Sequence, residues 1–133
     1  MAESFVSDGG ATVAESTHSA EAVGLRLYLQ EAMRLAPLPP REERLLLARV
    51  ARGDAEAADE VARTRLGLVA EMVLARGPHN GDAFVWLDAG NLALLEAVAA
   101  FASSGEADFE AYAARRIACA LDEAIGERAS RVA

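Results

Sequence analysis

Residues 83–101, AFVWLDAGNLALLEAVAAF, and residues 109–128, FEAYAARRIACALDEAIGER, decide the fold. In the second stretch Phe109, Ala113, Ile117, Ala120 or Leu121, and Ile125 recur every three or four residues, the period of one helix face. In the first, Leu87, Leu95 and Val98 form an apolar stripe that also carries Asn91. The segment SSGEAD between them reads as a loop. The pattern predicts two helices, about Ala83 to Phe101 and Phe109 toward Arg128. They are expected to bury Leu87, Leu94, Leu95, Val98, Phe101 and Ile117 together, so that Leu95→Ala costs about 2–5 kcal/mol.

Three further helices are expected upstream. The first runs from about Ser19 to Leu35 and ends at APLPP, because a residue before Pro is pushed out of the helical region. Pro40 suits the first turn of the second helix, with Glu42 and Glu43 near its positive end. Gly53 closes that helix, and Asp54 is placed to cap the next. The third helix spans roughly Ala55 to Ala75, and RGPHNGD after it is a loop. No strand pattern and no internal repeat occurs. The expectation is an all-α, compact bundle of about five helices over residues 21–133, preceded by a disordered acidic tail over residues 1–20.

Composition narrows the function classes. The 133 residues suit one domain whose core is mostly Leu, Val and Ala, since hydrophobic residues make up 53% and aromatics only 5%. All 13 basic residues are Arg, read as a mark of a GC-rich genome. The net charge of -8 opposes stand-alone DNA binding, which draws on phosphate neutralisation, and favours contact with a basic protein surface. The one Cys, Cys119, has no intramolecular disulfide partner and reads as a small core residue in a reducing, cytoplasmic setting. Residues 1–22 carry four acids and no basic residue, unlike a secretory signal. No apolar run approaches the ~20 residues of a membrane span, so no membrane partner is expected. Neither His18 nor His79 has companions with metal-ligand spacing, and no glycine-rich phosphate loop or nucleophile constellation occurs. No enzyme activity, metal or cofactor is expected.

Residues 90–101, GNLALLEAVAAF, resemble the best-known signature of bacterial RNA polymerase sigma factors, DLIQEGNxGLxxAVxxF. Gly90, Asn91, Leu92, Leu94, Leu95, Ala97, Val98 and Phe101 match in register. The following helix is similar to the family's FxxYAxxRI stretch through Phe109, Tyr112, Ala113, Arg116 and Ile117. Upstream, Tyr28, Leu29, Glu31, Leu38, Glu42, Glu43, Ala48, Arg49, Gly53, Asp54 and Ala57 resemble the family's first conserved helices. The resemblance covers about residues 22–128 and is closest to the primary and flagellar types. It implies the fold of sigma factor domain 2, which binds the polymerase core and melts the promoter. The polymerase or partner contacts it implies are Trp86, Asp88, Asn91, Leu92, Leu95 and Glu96. The candidate DNA contacts are Phe109, Tyr112, Arg115 and Arg116.

Departures from the family pattern fall on the polar positions. In the family, polar residues of the fourth helix bind a pair of basic clamp helices of the polymerase. Here the signature's Asp, Gln and Glu are Val85, Asp88 and Ala89, and its Lys is Glu96. The Trp pair of the primary class is Arg115-Arg116, the Phe and Lys that precede Phe109 are Ala107 and Asp108, and the usual Arg after Ile117 is Ala118. Glu106, Asp108 and Glu110 add negative charge where DNA is expected to run. Arg65-Leu66-Gly67 stands where the family has Asn-Leu-Arg. No later helix-turn-helix domain follows, so a complete two-element sigma factor is not expected.

Plainer roles exist for each residue. Asn91 suits a hydrogen bond to a neighbouring helix as well as a partner contact. Phe109 shares the stripe of Ala113 and Ile117 and suits the core. Tyr112 with Arg115 and Arg116 fits a solvated cation–π face as well as nucleic acid. Trp86 is either core or an exposed anchor. Three function classes follow. One is a sigma-like initiation protein that binds core polymerase and reads promoter DNA weakly or not at all. Another is a sigma mimic that binds an anti-sigma factor or other regulator. The third is a helical structural domain with an unrelated partner.

Overall fold

A computed structural model describes residues 23–78 and 81–132, apart from the side chains of residues 128 and 130–132. His18, His79 and the expected tail lie outside the described residues. All described secondary structure is helical, in six helices: α1 over residues 23–34, α2 Pro40–Ala51, α3 Ala55–Thr64, α4 Leu66–Ala75, α5 Asp82–Ser104 and α6 Phe109–Val132.

Local chemistry accounts for most of the ends. Pro40 opens α2 directly after Pro39, where its missing N–H costs no intrahelical bond. Gly53 takes φ +92° just after α2, in the left-handed region that a Cβ would strain. Asp54 Oδ1 then accepts from Ala57 N at 3.1 Å, capping α3, and Oδ2 accepts from Arg49 Nε at 2.9 Å. These bonds, the backbone bond first, hold the Asp54 carboxyl below its ordinary acidity range. At the other hairpin, Gly105 takes φ +79° beyond α5, and Asp108 Oδ1 accepts from Ala111 N at 3.2 Å at the start of α6. Asp108 is thus a helix cap as well as a negative charge.

The expected third helix is two helices. The chain breaks at Arg65, with φ −110° and ψ 6°, and Thr64 Oγ1 folds back onto Val61 O at 2.9 Å. The break sends the Arg65 guanidinium to Glu43 on α2, with Nε donating to Oε2 at 2.8 Å and Nη2 to Oε1 at 2.9 Å. Nη1 donates to Glu110 Oε1 at 2.9 Å, and the guanidinium lies 5.9 Å from the Phe109 ring centre. Both members of the Glu43–Arg65 pair are buried. The pair is bidentate and charge-assisted. The Glu43 hydrogen bonds are the main cause that raises the Arg65 pKa further above its ordinary value.

The long α5 is the centre of the bundle and packs against α2, α3, α4 and α6. It has 23 residues, and its most apolar stretch of 18 has a mean hydropathy of 1.5, enough by length and composition for a membrane span although Asp88 and Glu96 interrupt the apolar run. In the structure its apolar side, Trp86, Leu87, Ala93, Leu94, Ala97 and Val98, is buried in the core. Leu87, Leu94, Val98 and Ile117 are buried together as expected. Phe101 is only partly buried, resting edge-on against Phe109 at 5.3 Å between ring centres. Leu95 is exposed, a correction taken up below.

Gly90 lets the helices close. A Cβ there lies 2.7 Å from Val69 Cγ1, and 3.6 Å from both Ile117 Cγ2 and Leu121 Cδ2. Gly126 in α6 has nothing within 4 Å of the same position. Gly90→Ala is therefore expected to lower stability by roughly 1 kcal/mol or more, because overpacking outweighs the gain in helix propensity. Gly126→Ala is expected to raise it by up to about 1 kcal/mol. Urea midpoints of the two variants test the opposite signs.

The ion pair generates a second expectation. Arg65→Leu strands the buried Glu43 carboxylate and is expected to cost about 3–5 kcal/mol, whereas Glu43→Leu/Arg65→Leu recovers most of that loss. Thermal unfolding of the two single variants and the double variant measures the coupling; additive losses overturn the assignment.

Candidate protein-interaction surface

Helix α5 is amphipathic in an unusual way, with apolar residues on both sides. Its inner positions are filled by the core, and the positions on the opposite side, about half a turn away, are left outside. Val85, Asp88, Leu92, Leu95 and Ala99 follow one another at spacings of three and four residues and are all exposed. Val85, Leu92 and Leu95 keep 56%, 58% and 46% of their surface open, too much for three aliphatic side chains serving the fold alone. Phe84 flanks them on one side and Glu96 on the other, both exposed. The result is an apolar strip bordered by two carboxylates, Asp88 and Glu96.

Four of the six residues expected to contact a partner therefore share one surface: Asp88, Leu92, Leu95 and Glu96. The remaining two lie elsewhere. Trp86 is 5% exposed and belongs to the core, because it points to the opposite side of α5 from Asp88. Its Nε1 is buried with no hydrogen-bond partner among the described residues. Asn91 is partly buried at the α1 contact, where Nδ2 donates to Tyr28 Oη at 3.1 Å and Oδ1 is buried without a partner among the described residues. It ties α1 to α5, the plainer of its two roles. Phe84 and Val85 were not expected on the surface: Val85 read only as the replacement of an Asp, and Phe84 drew no attention. The signal lies in the spacing of Val85, seven residues or about two turns before Leu92, with Phe84 beside it.

The candidate DNA contacts separate into an inner and an outer set. Phe109 and Tyr112 are buried, the former under Phe101 and beside Arg65. Arg116 Nη1 donates to Tyr112 Oη at 3.0 Å, with its guanidinium 5.6 Å from that ring centre and 3.9 Å from Glu96. Arg115 is exposed and donates to Glu106 Oε1 at 2.7 Å. Neither ring presents a free face for a base, and each guanidinium has a carboxylate beside it. Cys119, expected in the core, is exposed, because it lies two residues from both Ile117 and Leu121 and so on the opposite side of α6 from their inward face. Among the described residues no three His, Cys, Asp or Glu side chains gather in a group suited to a metal ion.

No protein-family model matches the chain, and no curated protein matches it.

Leu94 and Leu95 give a direct check of the register. Leu94→Ala removes a fully buried side chain and is expected to cost about 2–5 kcal/mol. Leu95→Ala is expected to stay within about 0.5 kcal/mol of the parent, replacing the earlier expectation for this position. Chemical denaturation of both variants distinguishes the two faces; a large loss at Leu95 overturns the surface described here.

Proposed function

We propose that this chain is a non-enzymatic, sigma-factor-like protein of transcription initiation that binds RNA polymerase core through the outer face of α5 and has lost most or all promoter reading. The observation that carries the reading is the exposed group Asp88, Leu92, Leu95 and Glu96, at positions where the resemblance to sigma factors implies partner contact. Apolar side chains flanked by carboxylates suit a basic helical surface: the strip supplies buried area and the charges supply orientation.

Loss of DNA reading is supported by the second set of residues. Base capture relies on aromatic faces open for stacking and on cations available to phosphates. Phe109 and Tyr112 are buried, Arg115 and Arg116 lie beside Glu106 and Glu96, and the chain carries a net charge of -8.

An alternative within the same fold is a sigma mimic whose partner is an anti-sigma factor or another regulator. It is favoured by the replacement of the signature's Asp, Gln and Glu by Val85, Asp88 and Ala89, which leaves a more apolar strip than the family pattern implies.

Binding to purified core polymerase tests the proposal. Asp88→Arg/Leu95→Arg is expected to weaken it roughly 30-fold or more, the effect of losing about 2 kcal/mol at a contact centre. A forked promoter probe is expected to show no salt-sensitive binding to the chain alone. Absence of binding to core polymerase overturns the polymerase reading, and regulator binding that depends on Leu95 then supports the mimic.

A further inference from the structure

A groove of about 540 Å³ runs between α5 and α6 on the side away from α1. Its floor is made of small side chains, Ala89 and Ala93 from α5 and Ala120 and Ala124 from α6. Its rim is acidic, with Glu96 on one helix and Glu123 and Glu127 on the other, all exposed. Among the described residues the one cationic side chain lining it, Arg116, is drawn toward Glu96 at 3.9 Å and bonded to the Tyr112 hydroxyl. On α6 the lining residues run from Arg116 to Glu127, a length of about 16 Å or three helical turns.

We infer that this groove docks a basic amphipathic helix of a partner protein. Two parallel ridges with an alanine floor admit a third helix at the usual interaxial distance of about 8–10 Å, without the collisions that large side chains would cause. The apolar face of such a helix covers the alanines and Leu92, and Arg or Lys on its flanks meets Glu96, Glu123 and Glu127. Nucleic acid is opposed, because the rim carries the same sign as phosphate. A second copy of this chain is opposed as well, since a symmetric pairing brings the same carboxylates face to face. The groove shares Leu92 and Glu96 with the surface proposed for polymerase, but Asp88 and Leu95 do not line it and its α6 wall, with Glu123 and Glu127, takes no part in that surface, so substitutions on α6 test the groove by itself.

Cys119, the chain's only cysteine, lines this groove and is exposed, so its alkylation rate reports occupancy of the groove itself. The probe is a synthetic helix of about four turns, Leu and Ala on one face and Arg on the other. Its control keeps the apolar face but carries Glu. At ten times its dissociation constant the Arg helix is expected to slow alkylation roughly tenfold. The Glu helix and a short DNA duplex are expected to leave the rate unchanged. Glu123→Arg/Glu127→Arg, two exposed substitutions, is expected to abolish protection, read as the rate with peptide relative to the variant's own rate without it because nearby Arg alters thiol reactivity, while keeping the helical circular dichroism. Absence of protection, equal protection by the Glu helix or by DNA, or protection that survives the double substitution would overturn the proposal. So would a rate that falls as the protein's own concentration rises, which would assign the groove to a second copy.

Discussion

Gly90 is where three helices meet. Val69 from α4 comes within 2.7 Å of the position a Cβ would take, and Ile117 and Leu121 from α6 lie just beyond it. Dispersion contacts of this kind are individually small but numerous, and they weaken quickly when helices are held apart. The remaining arrangement depends on this close approach. Because α4 and α6 are both drawn onto α5, that helix becomes the shared wall of the core, and its Leu87, Leu94 and Val98 reach fully buried positions. The same approach dictates which side of α5 is left outside.

The Glu43–Arg65–Glu110 group serves a different purpose. A buried ion pair is a modest source of net stability, because desolvation of the two charges offsets much of their attraction. Its geometry is demanding, however, and that gives it structural specificity. A guanidinium held by two bonds to one carboxylate, with a third bond to another, is satisfied in one placement of α2, α4 and α6. The helix break at Arg65 is the local cost of reaching Glu43, and it frees α4 to turn toward Gly90 independently of α3. Phe109, beside the same guanidinium, belongs to this structural group.

With the interior accounted for, the side chains left over define how the domain meets other molecules. One face of α5 offers aliphatic side chains between carboxylates, and the cleft to α6 offers a small-residue floor inside an acidic rim. The carboxylates of both surfaces oppose phosphate and underlie the proposals that each receives a cationic protein segment. The two rings that would stack on bases have been absorbed into the core. This division, with Phe109 and Tyr112 inside and carboxylates outside, is the physical basis of the proposal that the domain binds protein and not nucleic acid.

Reading the chain alone was enough to establish the helical class and nearly all the helix ends. Those depend on local rules: Pro40 opening a helix, Gly53 followed by the cap of Asp54, the Gly-rich turns before α5 and α6, and the apolar period within each segment. The resemblance to sigma factors singled out Asp88, Leu92, Leu95 and Glu96, which the structure leaves exposed on one face of α5, although the apolar period had placed Leu95 in the core. Other features were decided only in three dimensions. The Leu94-Leu95 pair satisfies the apolar period with either residue inward, and the directions from which α2, α4 and α6 approach α5 chose Leu94. Trp86, which the sequence left open between core and exposed anchor, is core, and Cys119, expected in the core, is exposed, since burial belongs to a neighbour's position and not to a residue type. The break at Arg65 carries no Pro, and the Gly67 two residues on lies inside the next helix and does not mark it. It comes from an ion pair between residues 22 positions apart, which forms only once the helices have packed.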